Sequence, residues 1–207
     1  MSESNLSTRL MANLMDVEDV QLLRGNGTSP QYTGLANGAR TFADAAARET
    51  YIGSIADSVA SAATVDEYQV ITAVAAGMAN TNYMADKVFI NPIDYYRMVL
   101  AQSNTLEYRL SQTMAPNGEF KTIWNGIEFV KTAAQSAGTF TLLDSKQASQ
   151  YWMREGAQIE FGMNDNDFAK NAVSVRASIR GALVNYKSNG IVSDTFANFR
   201  TAIGTNA

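Results

Sequence analysis

The sequence contains no histidine and no cysteine among its 207 residues. Their absence excludes a Ser-His-Asp triad, a cysteine nucleophile, an ordinary zinc site and a disulfide framework. Charged residues are scarce, at 17% against the ~25% typical of soluble domains. The net charge of −4 and the pI near 4.9 argue against sequence-specific nucleic-acid binding, which normally needs a basic surface. With no apolar run of membrane-helix length and no signal-peptide pattern at the start, we expect a soluble, intracellular protein with no membrane contact.

The hydrophobic content of 46% is nevertheless enough for a folded core. Near the start, apolar residues recur at helical spacing and predict an amphipathic helix over 5–23, with Asn5 as its N-cap. The members of this stripe are Leu6, Leu10, Leu14 and Val17. The glycines of the following stretch, 24–30, predict the end of the helix.

The middle of the chain predicts a helix, a strand and a second helix in close succession. Residues 31–63 are rich in glycine and alanine and give no clear assignment. Thr64 and Glu67 have the spacing of a capping box, which predicts a helix running to about Ala79. The strand is predicted over 86–90 and buried on both faces, and Asn91-Pro92 then begins the next helix.

The second half of the chain is dominated by strand patterns. Short strands are predicted over 127–131 and 139–143, and a hairpin is predicted from 150–154 and 157–163 across Glu155-Gly156. From Val173 to Tyr186 apolar residues alternate with polar ones or continue without a break. A strand of this length spans roughly 50 Å, which suits an extended, plate-like subunit.

Four groups of residues invite a chemical interpretation, and none supports one. Gly25-Asn26-Gly27 follows a helix instead of a strand, so it is not a phosphate loop. Asp165, Asn166 and Asp167 lack the later ligands of a calcium loop. The cluster of Asp16, Glu18 and Asp19 is most simply the solvated face of the first helix, and no sugar cleft accompanies Glu155 and Glu160 as a glycosidase pair. We therefore predict no catalytic, cofactor-binding or metal-binding residue, no cofactor and no enzymatic activity.

Several short motifs follow one another in a characteristic order, beginning with the helix exit Gln21–Thr28 and then Gly34-Leu35. This first pair resembles the exit of the spine helix in the tailed-phage major capsid proteins. The other motifs, in the family's order, are Val88-Phe89-Ile90-Asn91-Pro92, Trp124–Val130, Gly138–Thr141, Asp167–Asn171, and a long strand followed by Tyr186 and a short strand over 190–196.

The resemblance implies the Hong Kong 97-type capsid fold, an α+β fold with a peripheral and an axial domain. It would assign residues 1–28, the later part of the spine helix, and the strands of 141–182 to the peripheral domain. Residues 29–140 would form the axial domain, and 183–207 would return to it. Family members also carry an N-terminal arm, an extended loop and an earlier part of the spine helix, which this chain is expected to lack.

Some members of the family form isopeptide crosslinks between a loop lysine, an asparagine and a catalytic glutamate. Asn171 matches the asparagine, whereas Ser178 stands where the glutamate is expected. Without a base to accept the proton of the amine, the amide is not attacked efficiently. We therefore predict that this chain forms no crosslink.

The function implied is that of a structural subunit, a major capsid protein or a prophage-encoded fragment of one. It would assemble into pentamers and hexamers of an icosahedral phage head that encloses DNA. Scaffolding and portal proteins are further implied partners. The chain as it stands would be a capsomer subunit or a monomer. Its location would be the virion, after assembly in the bacterial cytoplasm. Two alternatives stay open: an encapsulin-like compartment shell, and a small binding or enzymatic domain unrelated to capsids.

Overall fold

The chain forms an α+β fold in which a mixed sheet lies beside a long two-stranded ribbon. The computed structural model describes residues 3–53, 65–100, 113–114, 120–121, 123–163, 167–170 and 173–204. Its helices are α1 (Glu3–Arg24), α2 (Leu35–Gly38), α3 (Ala45–Ile52), α4 (Glu67–Asn80), α5 (Pro92–Leu100), α6 (Asp167–Lys170) and α7 (Phe196–Gly204). Its strands are β1 (Lys87–Ile90), β2 (Thr113–Met114), β3 (Phe120–Lys121), β4 (Ile123–Trp124), β5 (Ile127–Lys131), β6 (Thr139–Leu143), β7 (Ser149–Gly162), β8 (Ser174–Asn185) and β9 (Ile191–Thr195).

The mixed sheet has the strand order β4-β5-β1-β6-β9, so the strand predicted over 86–90 lies at its centre. β1 pairs in parallel with β5 and antiparallel with β6, while the outer pairs are antiparallel. Val88 and Ile90 are fully buried on one face, and Phe89 packs against the cluster of buried residues on the other. The predicted strand is confirmed, but only one of its faces is fully buried, because Phe89 on the other face is half-buried.

One face of the sheet is covered by α3, α4, α5 and α7, and this side holds the larger core. Alternate residues of each strand point into it, because side chains in a strand alternate between faces. Phe140 of β6 lies against two aromatic rings of α7, with ring centroids 5.0 Å from Phe196 and 5.9 Å from Phe199. Arg48 of α3 donates to the Asp194 carboxylate of β9 at 2.6 Å, which ties the helix layer to the edge of the sheet.

The opposite face of the sheet packs against the C-terminal end of α1. Leu23 of α1 and Leu35 of α2 belong to a second buried cluster with Leu143 and Ile191 of the sheet. Leu183 of the ribbon packs against the same cluster. The end of α1 therefore lies where the sheet and the ribbon meet.

The ribbon consists of β7 and β8, which pair antiparallel and form a sheet of their own. β8 has 12 residues and confirms the long strand predicted over 173–186. The hairpin predicted across Glu155-Gly156 is wrong, since these residues lie inside β7, which runs unbroken for 14 residues. Two local irregularities of β7, on either side of Glu155, fall where the turn was expected.

Two predicted helix starts are also wrong. α1 begins at Glu3, so Asn5 lies inside the helix instead of capping it. The capping box of α4 is formed by Asp66 and Gln69, and Glu67 is the first helical residue. Thr64 lies outside the described residues. The start of α5 is as predicted, because the Asn91 side chain accepts a hydrogen bond from the Ile93 backbone N–H at 2.9 Å.

Candidate assembly surfaces

The turn after α1 fixes the direction in which the chain enters the sheet. The Gly25 N–H donates to the Gln21 carbonyl at 2.8 Å, and the Gly34 N–H donates to the Gly25 carbonyl at 2.8 Å. The Asn37 side chain donates to the same Gly25 carbonyl at 2.7 Å. A Cβ atom added at Gly34 would lie 2.5 Å from the Gly25 nitrogen, so a side chain cannot be accommodated there. The two segments Gln21–Thr28 and Gly34-Leu35 therefore form one structural unit.

A hydrogen bond joins α1 to the ribbon. The Tyr151 hydroxyl of β7 donates to the Glu18 carboxylate, and the ring of Tyr32 lies edge-on to Tyr151 with centroids 6.0 Å apart. Burial, followed by the hydrogen bond to Glu18, raises the pKa of Tyr151. Burial also raises the pKa of Asp19, with smaller contributions from the negative charges of Glu18 and Asp16.

The sequence predicts that Asp16, Glu18 and Asp19 form a purely solvated helix face. This prediction is wrong for Glu18, whose side chain is half-buried. Sequence reasoning missed its role as the acceptor that links α1 to the ribbon. The signal was present, because Glu18 lies four residues after Leu14 and so shares the helix face of the apolar stripe.

The ribbon exposes several large apolar side chains. Trp152 is 55% exposed, Met153 60% and Phe161 54%. Such a concentration of exposed apolar side chains on one element is typical of a surface that contacts a partner. The outward charges next to it are paired within the ribbon, Arg176 with Glu160 and Arg180 with Glu155.

A second exposed apolar surface lies on α5. Its inner side buries Tyr95 and Met98, while Ile93 is 58% and Leu100 69% exposed. Tyr96 is exposed beside Ile93 and Leu100, and its ring lies 5.6 Å from the Lys131 Nζ. The outer side of the helix therefore exposes three apolar or aromatic residues together with Arg97, whose side chain is 72% exposed and pairs with Asp94.

The acidic residues with potential for chemistry are not brought together into a reactive site. Glu155 and Glu160 lie on the ribbon, each within an ion pair with an arginine. Asp165, Asn166 and Asn171 lie outside the described residues, and Asp167 accepts from the Ser174 hydroxyl at 2.5 Å. In the described part of the chain, no group of three or more acidic residues could hold a metal ion. Within the same ranges, no helix combines the length and the apolar character that crossing a membrane requires.

Two comparisons with known proteins identify the family of this chain. The sequence model of the phage capsid family matches residues 2–195. The chain belongs to the phage capsid family. It is also 30% identical over 198 residues to the major capsid protein of Enterobacteria phage HK97. That alignment covers 95% of this chain and 47% of the relative, so this capsid-family chain spans about half the length of the curated protein it matches.

Proposed function

We propose that the chain is a structural subunit of a phage head, assembling into pentamers and hexamers of an icosahedral shell that encloses DNA. The observation that carries this proposal is the match of the phage capsid family over nearly the whole chain, residues 2–195. The same match favours a phage head over an encapsulin-like compartment and over an unrelated binding or enzymatic domain. A structural, non-enzymatic role follows from the proposal, as do location in the virion after assembly in the host cytoplasm and contacts with scaffolding and portal proteins.

The proposed fold is of the Hong Kong 97 type, with two domains whose limits follow the hydrogen bonding of the strands. A boundary at 140/141 would cut β6, and one at 182/183 would cut β8. We therefore take α1 and the ribbon, Ser149–Asn185, as the peripheral domain. The mixed sheet with α2, α3, α4, α5 and α7 is the axial domain. Leu23 and Leu183 contact the cluster shared by both.

We assign the capsomer centre to α5 and the segment after it, 91–110. The exposed residues of α5 support this assignment, since aromatic residues such as Tyr96 and arginines such as Arg97 are enriched at protein interfaces. Residues 101–110 lie outside the described residues. Ile93→Glu with Leu100→Glu is expected to abolish ring formation, whereas Met84→Glu, at another side chain that is 70% exposed, should leave it intact. Rings formed equally by both variants would contradict the assignment.

The assembly itself is tested by multi-angle light scattering and negative-stain microscopy at high protein concentration. We expect rings of five or six subunits, or closed shells. A strict monomer across the whole concentration range would contradict self-assembly of this chain.

We further predict that the assembled chains stay free of covalent crosslinks. Ser178 lies on β8 opposite Gln158, and a serine hydroxyl at this position cannot take up a proton as a carboxylate would. Denaturing gel electrophoresis and intact-mass spectrometry of the assembled protein should show the monomer mass. Covalent oligomers would refute the prediction.

A further inference from the structure

The two edges of the ribbon differ in their ability to accept another strand. Between Met153 and Gln158, β7 has two irregularities, and at each of them an extra β7 residue faces β8. Bulges of this kind twist an edge away from a new partner and are a common protection against strand addition. β8 carries no bulge of its own, because none of its residues from Ser174 to Asn185 is an extra residue in the pairing with β7. Among the described residues, β8 has no strand partner on its outer side.

The last part of β8 is flanked by the turn that follows α1. The Asn185 side chain donates to the Thr33 carbonyl at 3.1 Å, and the turn residues 27–33 line a shallow groove with 181–183. Pro30 and Tyr32 also lie beside Ile179 on the face of the ribbon that α1 covers, and they line a neighbouring groove with Ser178 and Arg180. The outer edge is therefore most accessible over the first residues of β8, 174–177, and residues 178–180 lie next to the turn.

The sequence of residues 174–180 is complementary to itself. In an antiparallel pairing centred on Ala177, the alanine faces its own counterpart and Val175 faces Ile179. Each arginine then faces a serine, Arg176 opposite Ser178 and Arg180 opposite Ser174. Opposed apolar residues stabilise a strand pair, and directly opposed like charges destabilise it.

Neighbouring registers lose this complementarity. Centring the pair on residue 178 would place Arg176 opposite Arg180, and centring it on residue 176 would place Arg176 opposite itself. A half-step shift would set the apolar face of one strand against the polar face of the other. In the register centred on Ala177, the arginines also remain in their ion pairs with Glu160 and Glu155.

We propose that residues 174–180 of β8 pair antiparallel with the same residues of a second copy of this chain, about a two-fold axis at Ala177. The proposal rests on the proposed function, which supplies the second copy. A two-fold contact of this kind is isologous, so it cannot close a ring of five or six subunits. It would instead join subunits that belong to adjacent rings, through a continuous four-stranded sheet made of two ribbons.

The test is a disulfide at the axis. The chain has no cysteine, so Ala177→Cys introduces a single thiol. Directly opposed Cα atoms in antiparallel strands are ~4.5–5.5 Å apart, within the range of a disulfide. Ala182→Cys is the matched control, because Ala182 is the more exposed of the two. In the proposed register its two copies lie ten residues apart along the strands, roughly 33 Å.

Under mild oxidation of the full chain, we expect Ala177→Cys to give at least tenfold more covalent dimer than Ala182→Cys on a non-reducing gel. Equal yields, or no dimer from Ala177→Cys, would overturn the proposal. A second pair of variants tests the register. Ser174→Lys should raise the dimer dissociation constant two- to thirty-fold relative to Ser174→Glu, since each dimer contains two such positions opposite Arg180. Both variants lose the bond to Asp167, so this loss cancels in the comparison.

The two proposals fail separately. Rings or shells that form without the Ala177→Cys crosslink would refute the β8 contact and leave the capsid function standing. A specific Ala177→Cys dimer in a chain that makes no rings would support the contact and count against the ring assembly.

Discussion

The bond between Tyr151 and Glu18 should contribute measurably to stability, because it joins α1 to the ribbon. Tyr151→Phe removes the hydroxyl and keeps the ring that packs against Tyr32. A hydrogen bond to a charged group contributes ~1.5–3 kcal/mol, and partial exposure places this one near the lower end. We expect a loss of about 1–2 kcal/mol, which for a chain of this length corresponds to a decrease of ~2–8 °C in Tm.

The assay is a double-mutant cycle with Tyr151→Phe and Glu18→Ala, followed by circular dichroism during thermal and urea unfolding. Because either single variant removes the same bond, the double variant should be less destabilised than the sum of the two by about 1 kcal/mol. Tyr186→Phe is the control, since Tyr186 is an exposed tyrosine just beyond the same ribbon and should change stability by less than ~0.5 kcal/mol. Strict additivity of the two variants would refute the bond as a link between α1 and β7.

Two further predictions concern the turn after α1 and the helical layer. Gly34→Ala should destabilise the chain by about 1–3 kcal/mol, since the added Cβ would meet backbone atoms. Gly156→Ala is the control and should not destabilise it, because the space around Gly156 is open. Equal midpoints of urea unfolding in the two variants would contradict the prediction. Burial raises the pKa of Tyr51 to about 12, so the folded state favours the neutral hydroxyl. The stabilisation that this preference gives the fold is complete below the unfolded pKa near 10 and is lost between pH 10 and 12. In urea unfolding at pH 9 to 12, the free energy of unfolding should therefore fall less steeply with pH in Tyr51→Phe than in the parent chain, by up to ~1.4 kcal/mol per pH unit. Equal slopes in the two proteins would contradict this prediction.

The sequence predicts the elements with strong periodicity well. The strands over 127–131 and 139–143 have the same limits in the structure, and the first helix differs by two residues at its start and one at its end. These segments succeed because a single pattern dominates each of them. The central strand of the sheet is equally readable from its apolar run, whereas full burial of its second face is not observed, because Phe89 is half-buried.

The errors lie where two local signals compete. Glu155-Gly156 looks like a turn, yet the pairing with β8 carries the chain straight through and absorbs the extra residues as bulges. Around α4, Asp66 and Gln69 offer the same spacing as Thr64 and Glu67, and the later pair forms the box. In the unassigned stretch, Asp44 caps α3 by accepting from the Ala47 N–H at 2.8 Å, a signal that was available ahead of a run of alanines.

The candidate surfaces are less readable from sequence than the core, because exposure depends on which neighbour covers each face. The alternation in β8 shows that one face is apolar, but it does not reveal that α1 covers this face. Nor does it show that the turn after α1 lies beside β8 from residue 178 onward. Once these contacts are known, the same seven residues that stood out as a plain alternating strand become a self-complementary edge. The irregularities of β7, which the sequence suggests are a hairpin turn, protect one edge of the ribbon and leave the other edge regular. The proposed pairing with a second copy therefore takes place at β8.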